Sequence, residues 1–276
     1  MTGHRPTGWL SLLVVVAMGF ALSAQAAARS KRRTAKKDRA PVAAAVPFEL
    51  PSEARQLLLV TTPSWNSARG ALQRFERKEG GAPWQPLGER IPVWVGRKGL
   101  GWGVGFGQGL AGPRKAEGDG RAPAGIFPLG TAFGMAPAAE AAFLKLPYLV
   151  LSPDVECVDD ARSRSYNRLL ARGSVPTPDW KSSEKMLAVG EQYRWGAVVD
   201  YNAQPVSGRG SCIFLHVESR NPRGTAGCTA MKKEALLELL RWLDGAQRPV
   251  LLQLPESVFE PHAPAWALAV APPRAK

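Results

Sequence analysis

The sequence predicts a β-rich α+β domain. Short apolar runs recur along the chain between turn residues, which is the pattern of strands joined by loops. The 276 residues include 28 Gly and 24 Pro, a composition that favours turns and excludes a helical bundle. One segment near the C-terminus has a clear helical period. With 45% hydrophobic residues, the chain can build a core without a disulfide framework.

The first predicted elements are strands. Residues 56–60 form an apolar run typical of a buried strand, and residues 72–78 and 92–95 form a predicted pair connected through a Gly-Gly turn. Glycines at every second position over 99–109 predict an extended segment with one bare face. Because this run lacks the spacing of nucleotide-binding loops, it indicates close backbone packing and no phosphate site.

Two helices and a final strand follow. Residues 138–146 are predicted to form a short helix. Residues 232–244 form the clearest helix, because leucines at helical spacing make one apolar stripe before Gly245. The apolar run 250–254 then predicts a strand that ends at Pro255.

Residues 1–26 are predicted to be a signal peptide. A basic start precedes an apolar run at 10–22, and Ala-Gln-Ala at 24–26 supplies a small-x-small cleavage site. In the uncleaved alternative, residues 9–28 form a membrane anchor of about 20 residues. The cleaved form predicts export to the periplasm or cell wall, whereas the uncleaved form contacts a membrane through this segment alone.

The rest of the chain divides into three parts. Residues 27–52 form a basic Ala/Pro-rich linker, 53–256 form the globular domain and 257–276 form a Pro-rich tail. Much of the net charge of +13 lies in the first 39 residues, so the domain is only mildly basic and suits anionic polymers in general. A nucleic-acid partner is disfavoured because the signal peptide directs the chain out of the cytoplasm.

His216 is the one histidine of the predicted domain, since His4 lies in the signal peptide and His262 in the tail. Residues 211–217 alternate like a strand that places Cys212 and His216 on one face. A lone histidine is usually structural, so a catalytic role depends on a nucleophile beside it.

Cys228 is the candidate nucleophile. It precedes the predicted helix at 232–244, and a helix N-terminus favours a thiolate through its dipole and its free N–H groups. Gly227 permits a tight turn that aims backbone N–H groups at a tetrahedral oxyanion, as acyl transfer requires.

The other two cysteines fit this role less well. Cys212 and His216 are about 13 Å apart along a strand, which is too far for direct proton transfer. Cys157 has neither a histidine nor a helix start beside it. In an exported chain with three cysteines, a Cys157–Cys212 disulfide with Cys228 free is one of three consistent pairings. No metal site is predicted, because the chain lacks a Cys-x-x-Cys pair.

The residues around Cys228 belong to a longer pattern. Phe-Leu-His-Val at 214–217 and Thr-Ala-Gly-Cys-Thr-Ala-Met at 225–231 resemble the signature of the L,D-transpeptidase catalytic domain family (YkuD-type). Further segments resemble the same family, so that the resemblance covers roughly residues 55–255: Gly118–Pro128, Glu156–Asp160, Ser165–Asn167, Ser182–Glu184, Tyr201–Asn202 and Gly210–His216. Ala226 and Ala230 stand where the family pattern has His and Arg, and the interval from His216 to Cys228 is shorter.

The resemblance implies a curved mixed sheet or β-sandwich with one helix packed beside Cys228. It implies an exported cysteine acyltransferase that acts on peptidoglycan stem peptides and needs no cofactor. Cys228 attacks the carbonyl, His216 acts as general base oriented by the Val217 carbonyl, and the N–H groups of Gly227 and Cys228 form the oxyanion hole. Candidate substrate-binding residues are Thr225, Tyr201 and Asn202.

Two alternatives stay open at this point. Transfer to an amine forms a 3-3 crosslink or a wall attachment, whereas transfer to water makes the protein an L,D-carboxypeptidase or amidase with the same Cys-His site. A non-catalytic cell-wall-binding module is the second alternative, and it predicts no thiol chemistry.

Overall fold

The computed structural model describes residues 48–268. The predicted signal peptide, most of the linker and residues 269–276 of the tail lie outside the described residues. The strands are β1 (Gln56–Thr62), β2 (Arg69–Glu76), β3 (Gln85–Trp94), β4 (Leu100–Trp102), β5 (Ala122–Gly134), β6 (Tyr148–Val150), β7 (Val155–Cys157), β8 (Leu169–Ala171), β9 (Glu184–Lys185), β10 (Trp195–Val199), β11 (Phe214–Val217), β12 (Thr229–Met231) and β13 (Val250–Pro255). The helices are α1 (Lys233–Trp242) and α2 (Glu256–His262), with 3₁₀ segments at Arg172–Ser174, Met186–Tyr193 and Gly245–Gln247.

The described residues therefore form a β-rich α+β structure with few helices, which confirms the predicted class. None of the helices between residues 48 and 268 is long and apolar enough to cross a membrane.

Most of the strands belong to one mixed sheet in the order β10-β11-β12-β3-β2-β1-β13-β5-β4, with β6 also paired to β5. Strand β5 pairs with β13 through residues 125–128 and with β10 through residues 129–134. The sheet therefore curls back on itself, while β4 and β6, which each pair only with β5, stay at its edges. Strands β11 and β12 are parallel neighbours in this sheet.

Several predicted elements are confirmed. The apolar run 56–60 lies in β1, which is buried along its whole length between β2 and β13. The predicted pair is the antiparallel hairpin of β2 and β3. Helix α1 buries Leu236, Leu239 and Leu240, the stripe that predicted it.

Two predicted elements are wrong. Of the segment 99–109, only Leu100–Trp102 forms a strand, because Gly105, Gly107 and Gly109 have positive φ and make turns. The helix predicted at 138–146 is a series of turns. Its alanines favour a helix, but the segment enters β6 through Pro147 after only about two turns, too short to hold a helix without strong packing.

Both ends of the predicted domain extend further than the sequence suggested. Phe48, from the predicted linker, stacks on Trp266, from the predicted tail, with ring centroids 5.4 Å apart. The Trp266 indole N–H donates to the Phe48 carbonyl at 2.9 Å. Helix α2 also lies in the predicted tail and buries Phe259. Apolar burial thus extends the folded part to about residues 48–268.

A second, smaller sheet consists of β8, β7 and β9, with β7 in the centre. Glu156 of β7 is 1% exposed and binds Arg172 at 3.1 Å. It also accepts hydrogen bonds from Ser183 and Lys185. Burial alone would raise the pKa of Glu156, but these hydrogen bonds outweigh it and lower the pKa to about 2. The carboxylate therefore holds the three segments of the small sheet together.

Candidate active site

Cys228 lies directly before β12 and not at the start of a helix. Strand β12 pairs with β11 and β3, and α1 begins only at Lys233. The expectation that a helix dipole activates Cys228 is therefore wrong. Backbone pairing with two neighbouring strands draws residues 229–231 into the sheet, which the sequence does not show.

Thr225 shapes the turn that presents Cys228. Its hydroxyl donates to the Cys228 carbonyl at 2.7 Å and accepts from the Gly227 N–H at 3.1 Å. Gly227 packs closely, since a Cβ there would lie 3.1 Å from Ile213 Cδ1 and 3.2 Å from the Arg121 carbonyl oxygen and would push these neighbours apart slightly. Thr225 therefore stabilises the turn. The predicted oxyanion role of Gly227 needs correction, because its N–H is already bonded to this hydroxyl.

His216 lies on β11 and is 6% exposed. Its Nδ1 atom is 2.8 Å from the Val217 carbonyl oxygen. Since a carbonyl only accepts hydrogen bonds, Nδ1 carries the proton and Nε2 keeps a lone pair. Burial lowers the pKa of His216, and the Val217 carbonyl opposes this less strongly. The imidazole is therefore neutral near pH 7 and equipped to accept a proton at Nε2.

The register of β11 and β12 brings Cys228 and His216 together. His216 pairs with Ala230, two residues after Cys228. Neighbouring strands lie about 4.8 Å apart, and two residues along a strand span about 6.6 Å, so the Cα atoms of His216 and Cys228 are about 8 Å apart. Because side chains two residues apart point to the same face, both side chains lie on one face of the sheet. Both line a cavity of about 290 Å³. Its other lining residues include Trp94, Glu184, Tyr193 and Thr225.

The Cys228 thiol is 6% exposed and has two backbone partners. The Phe214 N–H points at Sγ from 3.4 Å, and Sγ lies 3.4 Å from the Cys212 carbonyl oxygen. Burial and the Glu184 carboxylate raise the pKa of the thiol well above its usual range, against smaller opposing effects of the Phe214 N–H and of Lys115. The sequence-based expectation of a thiolate near neutral pH is therefore corrected: the resting group is a thiol.

The three cysteines adopt one of the pairings that the sequence allowed. Cys157 and Cys212 form a disulfide with Cα atoms 6.0 Å apart, and Cys228 is free. Cys212 is not on the strand with His216, because its φ of 55° turns the chain before β11 begins. Its N–H is bound by Asn167 Oδ1 at 2.9 Å. The bonded Cys212 therefore positions the carbonyl that contacts the Cys228 sulfur.

Tyr201 and Asn202 do not line the cavity of Cys228 and His216. Both are buried, and the Tyr201 hydroxyl donates to the Arg209 carbonyl. The Asn202 amide donates to the Gly210 carbonyl at 3.0 Å and accepts from the Val206 N–H at 2.8 Å. Because buried polar groups need partners, these side chains shape the loop at 202–210. Their predicted role in substrate binding is therefore corrected.

A larger cavity of about 780 Å³ adjoins the first and shares Trp94, Pro222 and the carboxylate-bearing Glu218 with it. Arg69 lies over the Trp94 ring, 4.6 Å from its centroid, and Arg223 and Lys232 also line this cavity. The three cations are exposed and form none of the ion pairs found within residues 48–268. Sequence reasoning missed this cationic cleft, because Arg69 is far along the chain from Arg223 and Lys232, and each of the three resembles an ordinary surface charge.

Tyr193 and Glu184 were also missed as site residues. Sequence reasoning included Glu184 in the family resemblance but gave it no role, and nothing in the sequence marks Tyr193 as its partner. Within residues 48–268, no group of three or more His, Cys, Asp or Glu side chains is placed to hold a metal ion.

No family model matches the chain, and no curated protein matches it. Among solved structures, the helical cell shape determining protein Pgp2 from Campylobacter jejuni matches with 12% sequence identity and a TM-score of 0.39. The match covers 75% of this chain and 50% of that chain, so this chain spans about half the length of the Pgp2 chain. A similarity of this size does not establish a shared fold or function.

Proposed function

We propose that the chain is an exported cysteine acyltransferase of the L,D-transpeptidase type, acting on peptidoglycan stem peptides. The observation that carries the proposal is the Cys228 thiol in one cavity with His216, whose Nδ1 is bound to the Val217 carbonyl at 2.8 Å. A free thiol beside an oriented neutral imidazole is the arrangement of nucleophilic cysteine catalysis. The resemblance of residues 214–231 supplies the substrate class, and the signal peptide supplies the location.

In the proposed reaction, His216 Nε2 accepts the Cys228 thiol proton as the sulfur bonds to the carbonyl carbon between the third stem residue and a terminal D-amino acid. The carbon–nitrogen bond breaks, and the departing amine takes the proton from His216. An acceptor amine then attacks the thioester and gives its proton to His216, the carbon–sulfur bond breaks as the product amide forms, and His216 returns the proton to the Cys228 sulfur. His216 thus acts as base and acid in turn.

The cationic cleft supports transfer to a second substrate over hydrolysis. It adjoins the catalytic cavity at Trp94 and offers cations to a ligand that bears carboxylates, as stem peptides do. An acceptor held there would bring its amine to the thioester in place of water.

The test is to incubate the purified chain with tetrapeptide-containing muropeptides and to identify the products by mass spectrometry. Crosslinked dimers that have lost one D-amino acid support the transpeptidase, and shortened monomers identify the carboxypeptidase instead. Cys228→Ala is the matched control and yields neither product. If the native chain binds wall fragments but forms neither product, the non-catalytic module replaces the proposal.

A further inference from the structure

The Tyr193 side chain shares one cavity with a carboxyl group and the free thiol. Its hydroxyl donates to Glu184 Oε2 at 2.7 Å, and Tyr193, Glu184 and Cys228 line the same cavity. The hydroxyl also acts on the Cys228 thiol and lowers its pKa, although burial of the thiol outweighs this effect. Tyr193 is 5% exposed, and its ring packs edge-on against His216 and Phe214, with centroids 5.4 Å and 5.6 Å away. Packing therefore fixes the Tyr193 side chain in the cavity that Glu184 and Cys228 also line.

The charges around this group have a definite arrangement. Tyr193 interacts with Glu184 and Cys228, while Asp159 and Glu117 add negative potential at Glu184. Lys115 acts on Cys228 and lowers its pKa, and the charged side chains of Arg97 and Glu218 line the same cavity. His216 faces the same cavity and is neutral near pH 7 because burial lowers its pKa. A tyrosine hydroxyl has one proton to donate, so Glu184 and an ionised Cys228 compete for it.

We propose that Tyr193 is a further catalytic residue and Glu184 a positioning residue: the hydroxyl donates to Glu184 while Cys228 is a thiol and to the sulfur once Cys228 has lost its proton. The Glu184 carboxylate opposes that change, both by repelling the thiolate and by retaining the hydroxyl. Glu184 thereby keeps the free thiol protonated and unreactive until His216 takes the proton during attack, and the Tyr193 hydroxyl then stabilises the sulfur. The inference rests on the proposed function only in taking Cys228 as the nucleophile.

Removing the two groups has opposite effects on the thiol. Without the Glu184 charge, the thiolate is less opposed, so the apparent pKa of Cys228 falls. Without the Tyr193 hydroxyl, the thiolate loses a donor, so the apparent pKa rises. A shift of about one unit in either direction corresponds to about a tenfold change in alkylation rate below the pKa.

The experiment measures the rate of iodoacetamide alkylation against pH, with intact-mass detection. Cys228 is the only thiol available, because the other two cysteines of the chain are bonded to each other. Glu184→Gln is expected to move the profile to lower pH. Adding Tyr193→Phe to that variant is expected to move it back to higher pH, with the carboxylate absent from both proteins.

The control is Glu191→Gln, which removes an exposed carboxylate from the same 3₁₀ segment as Tyr193. Its profile is expected to match that of the native chain. If Glu184→Gln shifts the profile no more than this control, or if the added Tyr193→Phe change does not raise the pKa, the inference is overturned. Thermal unfolding monitors the fold. Should Glu184→Gln unfold, Glu184→Met gives the same comparison with an uncharged side chain of similar length.

Alkylation requires no peptidoglycan, so this test is separate from that of the proposed function. Shifted profiles in a chain that forms no muropeptide product leave the inference standing and reject the proposed reaction. Unshifted profiles in an active chain reject the inference alone.

Discussion

The Nδ1 atom of His216 is bound to the carbonyl oxygen of Val217, the next residue along β11, at 2.8 Å. This contact fixes the tautomer with the lone pair on Nε2, and His216 lines the same cavity as Cys228. Because the Val217 carbonyl of β11 orients the imidazole, His216 needs no acidic side chain to bind its Nδ1 proton.

His216→Gln is expected to lower the rate of acyl transfer by about 10²- to 10⁴-fold, the range of general-base catalysis. Glutamine roughly preserves the volume and polarity of the site but cannot accept the thiol proton. The measurement is kcat and KM for release of the terminal D-amino acid, with unfolding temperature as a check on the fold. A variant that retains more than about a tenth of the native kcat would exclude His216 as the base.

Cys228→Ala is expected to abolish turnover and leave the fold intact. The thiol is small, and its two backbone contacts, to Phe214 N and the Cys212 carbonyl oxygen, are long. Product formation is followed by chromatography, and far-ultraviolet circular dichroism follows the fold. Turnover comparable to that of the native chain would show that a group other than Cys228 is the nucleophile.

The Cys157→Ser, Cys212→Ser double variant is expected to be less stable by about 2–4 kcal/mol, because the disulfide closes a long loop in the unfolded chain. Its turnover should fall as well, since Cys212 positions a carbonyl against the Cys228 sulfur. Urea unfolding and kcat give the two readouts. Unchanged kcat in a destabilised but folded variant would confine the disulfide to a structural role.

Arg69→Gln and Arg223→Gln are each expected to weaken use of an acceptor that bears carboxylates, with KM rising roughly two- to fivefold, as for one exposed charge interaction. The ratio of transfer to hydrolysis should fall in parallel, and the effect should fade at high salt. Arg162→Gln, an exposed arginine beside Asp160 and outside the cleft, is the matched control. Equal KM values in all three variants would show that the cationic cleft does not bind the acceptor.

Glu156 makes stability depend on pH in the acid range. Its pKa is lowered to about 2 in the folded chain, below the value of about 4.3 for an unfolded glutamate. Its contribution is therefore present above about pH 5 and is lost as the pH falls towards 2. The free energy of unfolding, measured by urea titration from pH 7 to 3, should decline less steeply in Glu156→Gln than in the native chain.

The sequence by itself determined the β-rich class, the hairpin of β2 and β3, helix α1 and the pairing of Cys228 with His216 as candidates. These predictions were accessible because apolar periodicity and turn residues are local properties, and because the domain contains one histidine. The same local reasoning failed at 138–146 and at 99–109, where helix propensity and glycine spacing were outweighed by turns and neighbouring segments.

Only the tertiary structure decided how the site is built. Because residues 229–231 pair with β11, Cys228 precedes a strand and not a helix. Because it is buried, its pKa is raised and the resting group is a thiol. Tyr201 and Asn202 proved to be loop residues once their backbone partners were known. The Glu184–Tyr193 contact at 2.7 Å depends on how the 3₁₀ segment packs against β11, and the cationic cleft joins residues from β2, the loop after β11 and the start of α1. Packing between separate segments brings these side chains together, and local sequence patterns do not predict such contacts.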